Sequence, residues 1–205
     1  MAATAGPYPV SLSIDRPDRP LNRLTTFFRI FAIIPIAIII CLISGGNSDR
    51  SWTWGVSGGI IFLPIVLMIL FRQKYPRWWF DWNLALTRFS ARVGAYFSLL
   101  TDVYPSTDEE QGVHIEIPYP DVPKDLNRWL PLVKWFLAIP HYFVLFFLGI
   151  GAIFSVIFAW FAILFTGRYP QGLFDFVVGV YRWSLRVAAY AALLTTDRYP
   201  QFSLD

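Results

Sequence analysis

One stretch is written twice in this chain, and reading the two copies together decides the fold. The first copy runs Tyr75-Pro76-Arg77-Trp78-Trp79-Phe80-Asp81-Trp82, through Arg88, Arg92-Val93, Ala95-Tyr96 and Leu99-Leu100-Thr101 to Tyr104-Pro105. The second runs Tyr169-Pro170-Gln171-Gly172-Leu173-Phe174-Asp175-Phe176, through Arg182, Arg186-Val187, Ala189-Tyr190 and Leu193-Leu194-Thr195 to Tyr199-Pro200. The likeness extends upstream of both. Leu21-Asn22-Arg23 matches Leu126-Asn127-Arg128, and Ile34-Pro35 matches Ile139-Pro140 at the same offset. Lys134 stands where Arg29 stood. The pattern reads as a tandem duplication, with residues 1–105 as the first repeat and 106–205 as the second, in one integrated membrane domain.

Only 15% of the 205 residues are charged and 56% are hydrophobic. A soluble domain carries nearer one quarter charged residues, so composition points to an integral membrane protein. The formal charge of +3 gives no sign of a nucleic-acid partner. Cys41 is the single cysteine, which rules out an intrachain disulfide and a cysteine-based metal site. The first twenty residues are polar and proline-rich and do not read as a cleaved signal.

Within each repeat the expected order is a short strand, a transmembrane helical hairpin and a third, amphipathic helix. Val10 to Ile14 and His114 to Ile117 alternate polar and apolar residues, the period of a strand. They are expected on one face of the membrane, where they could pair. Leu24 to Ile43 is about one hydrocarbon thickness long, with Asn22 as its cap. Arg29, one turn inside, is expected to extend its head group to the interface. Gly45-Gly46-Asn47-Ser48 reads as a turn, and Gly55 to Phe71 returns. In the second repeat, Trp129 to Leu148 goes out, Gly149-Ile150-Gly151 turns, and Ala152 to Gly167 comes back. The 33 uncharged residues from Trp135 to Gly167 are fewer than two full spans want, so a re-entrant hairpin is the alternative.

On a helix, Asp81, Arg88 and Arg92 fall on one narrow stripe, as do Asp175, Arg182 and Arg186. Nearly all the remaining surface is apolar. Such a helix either lies among lipid headgroups or crosses the bilayer with its stripe turned toward protein. The positive-inside rule favours two spans per repeat, and so does the insertion cost of about 2.5 to 3.5 kcal/mol for each charge at mid-membrane. The expectation is an all-α protein with four spans and two interfacial helices. The termini lie in the cytoplasm, and the halves are related by an axis along the membrane normal. Trp52, Trp54, Tyr96 and Tyr190 are expected as interfacial anchors.

Ala138-Ile139-Pro140-His141, Tyr169-Pro170, Phe174-Asp175-Phe176, Arg182-Trp183, Arg186-Val187, Ala189-Tyr190 and Leu193-Leu194-Thr195 with Asp197 and Tyr199-Pro200 resemble the bacterial membrane family called domain of unknown function 4389. The resemblance is strongest in the second half. The first half departs from it at Ile33-Ile34-Pro35-Ile36, where isoleucine takes the histidine position. It implies a bacterial inner-membrane placement and carries no activity.

No phosphate loop, nucleophile elbow or metal-binding spacing is present in the sequence. Bis-histidine haem ligation would need two facing imidazoles, and His114 is far from His141. No metal and no cofactor is therefore expected. Asp81 and Asp175 are read as ion-pair members or as helix-start charges that suit the dipole. Arg88, Arg92, Arg182 and Arg186 suit lipid phosphates or an acidic partner. The expected function is a non-catalytic membrane scaffold or accessory subunit, touching lipid headgroups or a partner through these stripes, with a membrane-protein partner or a homo-oligomer. The alternative is a small transporter or lipid-handling protein that uses the interface between repeats.

Overall fold

The computed structural model describes residues 8–17, 19–43, 66–107 and 109–205. Trp52, Trp54, the turn at Gly45 to Ser48 and most of the return from Gly55 lie outside them. The elements in order are β1 (Ser11–Ile14), α1 (Arg23–Ile43), a π-helical turn (Met68–Arg72), α2 (Arg77–Phe97), β2 (Val113–Glu116), α3 (Val122–Asp125), α4 (Leu130–Thr166) and α5 (Gln171–Ala191).

The two short strands pair antiparallel, with Leu12 opposite Ile115 and Ser13 opposite His114. Alternation sets their faces: Val10, Leu12, Val113 and Ile115 are buried and Ser11, His114 and Glu116 are exposed. Asn22 caps α1 as its sequence position predicts, its Oδ1 accepting from the N–H groups of Leu24 at 3.0 Å and Thr25 at 3.4 Å. Pro35 and Pro140 are both accommodated within helices.

The second hairpin is corrected by the structure. Leu130–Thr166 is one continuous helix of 37 residues, and Gly149-Ile150-Gly151 lies inside it. A turn there would expose backbone groups with no polar side chain nearby to satisfy them. The glycines serve as helix surface instead. A Cβ built on Gly151 would lie 3.3 Å from the Phe176 ring of α5, whereas one on Gly149 would meet nothing within 4 Å. The helix ends at Gly167, whose left-handed φ of 73° closes it with a bond from its N–H to the Ile163 carbonyl. Gln73 closes the π-helical turn before α2 in the same left-handed way, with φ 47°.

The chain turns back at 167–170, and α5 runs antiparallel along α4. Phe176 meets Gly151, Trp183 meets His141, and Thr196 beyond the helix end meets Lys134. In the same way Arg29 of α1 meets Tyr96 at the far end of α2. Among the helices α2 and α5 bury the most residues, and with the strands, the connectors and part of α4 they build the main core. Tyr75 ties the halves together, donating its hydroxyl to the Leu193 carbonyl at 2.7 Å. Burial pushes that hydroxyl's pKa up, so it remains a donor at neutral pH.

Among the described residues one helix, α4, is long and apolar enough to cross a membrane. Only 11% of its most apolar window is buried inside the chain, which sets it apart from the core helix of a soluble protein.

Candidate functional site

The residues that recur in both halves converge on two internal clamps. In the first, Arg29 is buried at 2% exposure rather than extended to an interface. Its Nη1 donates to the carbonyls of Tyr96 and Thr101, both at 2.9 Å, and its Nη2 pairs with Asp102. The other oxygen of Asp102 accepts the backbone N–H of Asn22 at 2.7 Å. The guanidinium also lies over the Tyr96 ring, 4.3 Å from its centroid. One aspartate thus holds the start of α1 and the cation about two turns further along it.

The second clamp repeats the first with lysine. Lys134 is fully buried, donates to the Thr196 carbonyl at 2.8 Å and lies 2.7 Å from Asp197 Oδ1. Asp197 Oδ2 accepts the Asn127 backbone N–H, and Lys134 Nζ is 5.1 Å from the Tyr190 centroid. Tyr96 and Tyr190, expected as interfacial anchors, are buried beneath these cations. Each ring gives the cation a face to rest on where water is excluded, and each packs edge-on against the next tyrosine, Tyr104 or Tyr199, at 5.7 Å.

The arginine stripes are likewise used inside the molecule. Arg88 donates to the Ile115 carbonyl on β2, and Arg182 donates to the Leu12 carbonyl on β1. Leu12 and Ile115 are opposite one another in the strand pair, so the two helices grip it from both sides. Arg92 and Arg186 are buried and donate to the carbonyls of Ser106, at 2.8 Å, and Ser203, at 3.3 Å. Arg182 also holds Leu204 through its carbonyl at 3.1 Å. Asp81 and Asp175 are exposed, and no ion pair among the described residues includes either. Each precedes its nearest stripe arginine by seven residues, about 10 Å along a helix, and that arginine is drawn to a strand carbonyl instead. The ion pairing expected of the aspartates is therefore absent from the described residues.

Sequence reasoning missed Arg29, Lys134, Asp102, Asp197 and the Asn backbones as one unit. The signal was there: a cation at one offset, and Thr-Asp three residues before Tyr-Pro in both copies, Thr101-Asp102 and Thr196-Asp197.

His141 is fully buried on α4. The Trp183 indole N–H donates to its Nδ1 at 3.1 Å. Indole is a donor only, so Nδ1 carries a lone pair and the neutral ring's proton is on Nε2. A metal or haem iron would need that Nε2 lone pair, which this tautomer does not offer. Nε2 itself is buried without a partner among the described residues. The ring is covered by Phe202, stacked at 4.0 Å, and by Tyr199 at 4.8 Å.

No curated protein and no solved structure matches the chain. Residues 129–203, from the residue before α4 to Ser203 of the tail, match the family model described as domain of unknown function (DUF4389), so the half that carries Lys134, His141, Trp183 and Asp197 is similar to that family.

Proposed function

We propose that this chain is a non-catalytic integral membrane scaffold or accessory subunit, set in a bacterial inner membrane by the outer face of α4. One observation carries this reading. Phe136, Phe143, Phe146, Phe154, Phe158 and Phe165 are each between 58% and 79% exposed, on a helix with no charge between Lys134 and its end. Six such rings present on the order of 700 Å² of aromatic surface, above the largest apolar patch of an ordinary soluble monomer. At roughly 55 Å the helix is longer than the hydrocarbon core, so it stands tilted with its ends among the headgroups.

The charged residues support a structural use. Arg29, Lys134, Arg88, Arg92, Arg182 and Arg186 each bond this chain's own carbonyls. The matched clamps support an origin by tandem duplication. The part of α2 that remains exposed, around Asp81 and Arg88, is where lipid headgroups or an acidic partner would approach.

Carbonate extraction followed by gentle detergent purification and native mass analysis tests the proposal. A protein that stays in the membrane pellet and purifies with a stoichiometric partner protein, or as a defined homo-oligomer, is the expected outcome. Release by carbonate, or a monomer that carries no partner protein, contradicts it.

A further inference from the structure

The chain holds its own control for what His141 does. In the first half Ile33, Ile36, Val93 and Tyr96 form a small apolar cluster with Phe89 packed against it. In the second half the same positions hold Ala138, His141, Val187 and Tyr190, with Trp183 in place of Phe89. The first half shows that this junction closes well with apolar side chains alone. The second half gives up the bulk of an isoleucine at Ala138, gains the larger indole, and uses it to hold an imidazole. What results is a fixed Nε2–H donor with no acceptor among the described residues, a desolvation cost that an apolar pair does not carry.

The cover over the face of this imidazole is not part of any helix or strand. Phe202 and Tyr199 lie on the tail after α5 and are themselves 54% and 41% exposed. The tail is held by the Arg186 and Arg182 bonds to Ser203 and Leu204, and by close approach at Gly179, where a Cβ would fall 2.8 Å from Leu204. Its stacking contact on His141 is one half-exposed ring, so displacing the tail uncovers the imidazole whose edge carries Nε2–H.

We propose that His141 is the hydrogen-bond donor of a ligand site roofed by Phe202, and that the ligand is a membrane-dissolved molecule that presents a carbonyl oxygen to Nε2–H. The acceptor is the ring carbonyl of a quinone or the ester carbonyl of a phospholipid. Trp183 acts as a positioning residue that keeps the proton on Nε2. The inference does not depend on the accessory-subunit reading; it needs only that α4 lies in a bilayer, which carbonate extraction tests separately.

Histidine labelled with ¹⁵N makes the test direct, because the chain has two histidines and His114 is exposed on β2. The full chain is placed in nanodiscs of ether-linked phospholipid, which lack ester carbonyls, then in ester-linked nanodiscs, then in ether-linked nanodiscs titrated with decylubiquinone. The expected result is a saturable shift of the His141 Nε2–H resonance in one of the latter two, with His114 unmoved. A shift in ester nanodiscs identifies the lipid carbonyl, and a shift with decylubiquinone identifies the ring carbonyl. Phe202→Ala, a change on the half-exposed tail, is expected to lower half-saturation by roughly fivefold. An Nε2–H resonance identical in all three conditions overturns the proposal, and so does a resonance showing the proton on Nδ1.

Discussion

The two clamps perform one task with different cations. Arg29 reaches two carbonyls and a carboxylate, whereas Lys134 reaches one carbonyl and a carboxylate. Guanidinium presents five donors in a planar fork, and ammonium is a compact point charge. The second half therefore depends more on its aspartate than the first does. Asp102 and Asp197 each also hold an Asn backbone at the start of the following helix, so losing either loosens the helix entry as well as the ion pair. The difference teaches that a repeated pattern of charges need not mark a surface. Here it marks the points where a helix of each half is fastened to the chain that follows α2 or α5.

The largest expected effect separates the clamps. Asp197→Ala leaves Lys134 buried with one carbonyl and is expected to cost about 3–5 kcal/mol in urea unfolding of the detergent-solubilised protein. Asp102→Ala leaves Arg29 with both carbonyls and is expected to cost about half as much. Equal costs would break the distinction drawn between them.

The next effect concerns the tail. Gly179→Ala places a methyl within 2.8 Å of Leu204 and is expected to free the tail, read as faster carboxypeptidase trimming together with a loss of about 1–3 kcal/mol. The counterpart change on α2, Ala85→Gly, lies on an exposed helix surface and should cost only about 0.5–1 kcal/mol through helix propensity.

Rebuilding the second junction in the image of the first sharpens the comparison further. The combined variant Ala138→Ile, His141→Ile and Trp183→Phe is expected to be more stable than the parent by about 1–2 kcal/mol in a thermal melt, since it removes an unpaired donor and restores the apolar bulk. A clear loss would mean that His141 serves the fold. The smallest effect belongs to His114→Ala, which breaks an exposed pair with Asp15 and should change stability by less than about 1 kcal/mol.

Much of this architecture is written locally and could be read so. The strands follow from alternation at Val10 to Ile14 and His114 to Ile117, and Asn22 announces its helix. The recurring residues aligned Lys134 with Arg29. Their partners were harder to read, because Lys134 and Asp197 are 63 residues apart and no spacing rule joins them. One extra residue after the second Leu-Leu-Thr also moves Asp197 out of simple register with Asp102. The acceptors of the stripe arginines are backbone carbonyls on the strands, the connector and the tail, and a carbonyl leaves no mark in a sequence. Gly149-Ile150-Gly151 misled for a physical reason. Glycine pairs mark turns where water or polar side chains can satisfy the backbone, and in this apolar stretch only continuing the helix does so.

The continuous α4 is the claim on which the exposed aromatic face and the antiparallel pairing with α5 both depend. Electron–electron distance measurement between spin labels at Phe136→Cys and Phe165→Cys, in a Cys41→Ala background in nanodiscs, tests it most directly. Both phenylalanines are exposed, and an unbroken helix separates them by about 44 Å. A distance near that value is the predicted result. A distance under roughly 20 Å would mean that the chain turns back at Gly149–Gly151, and would contradict the account.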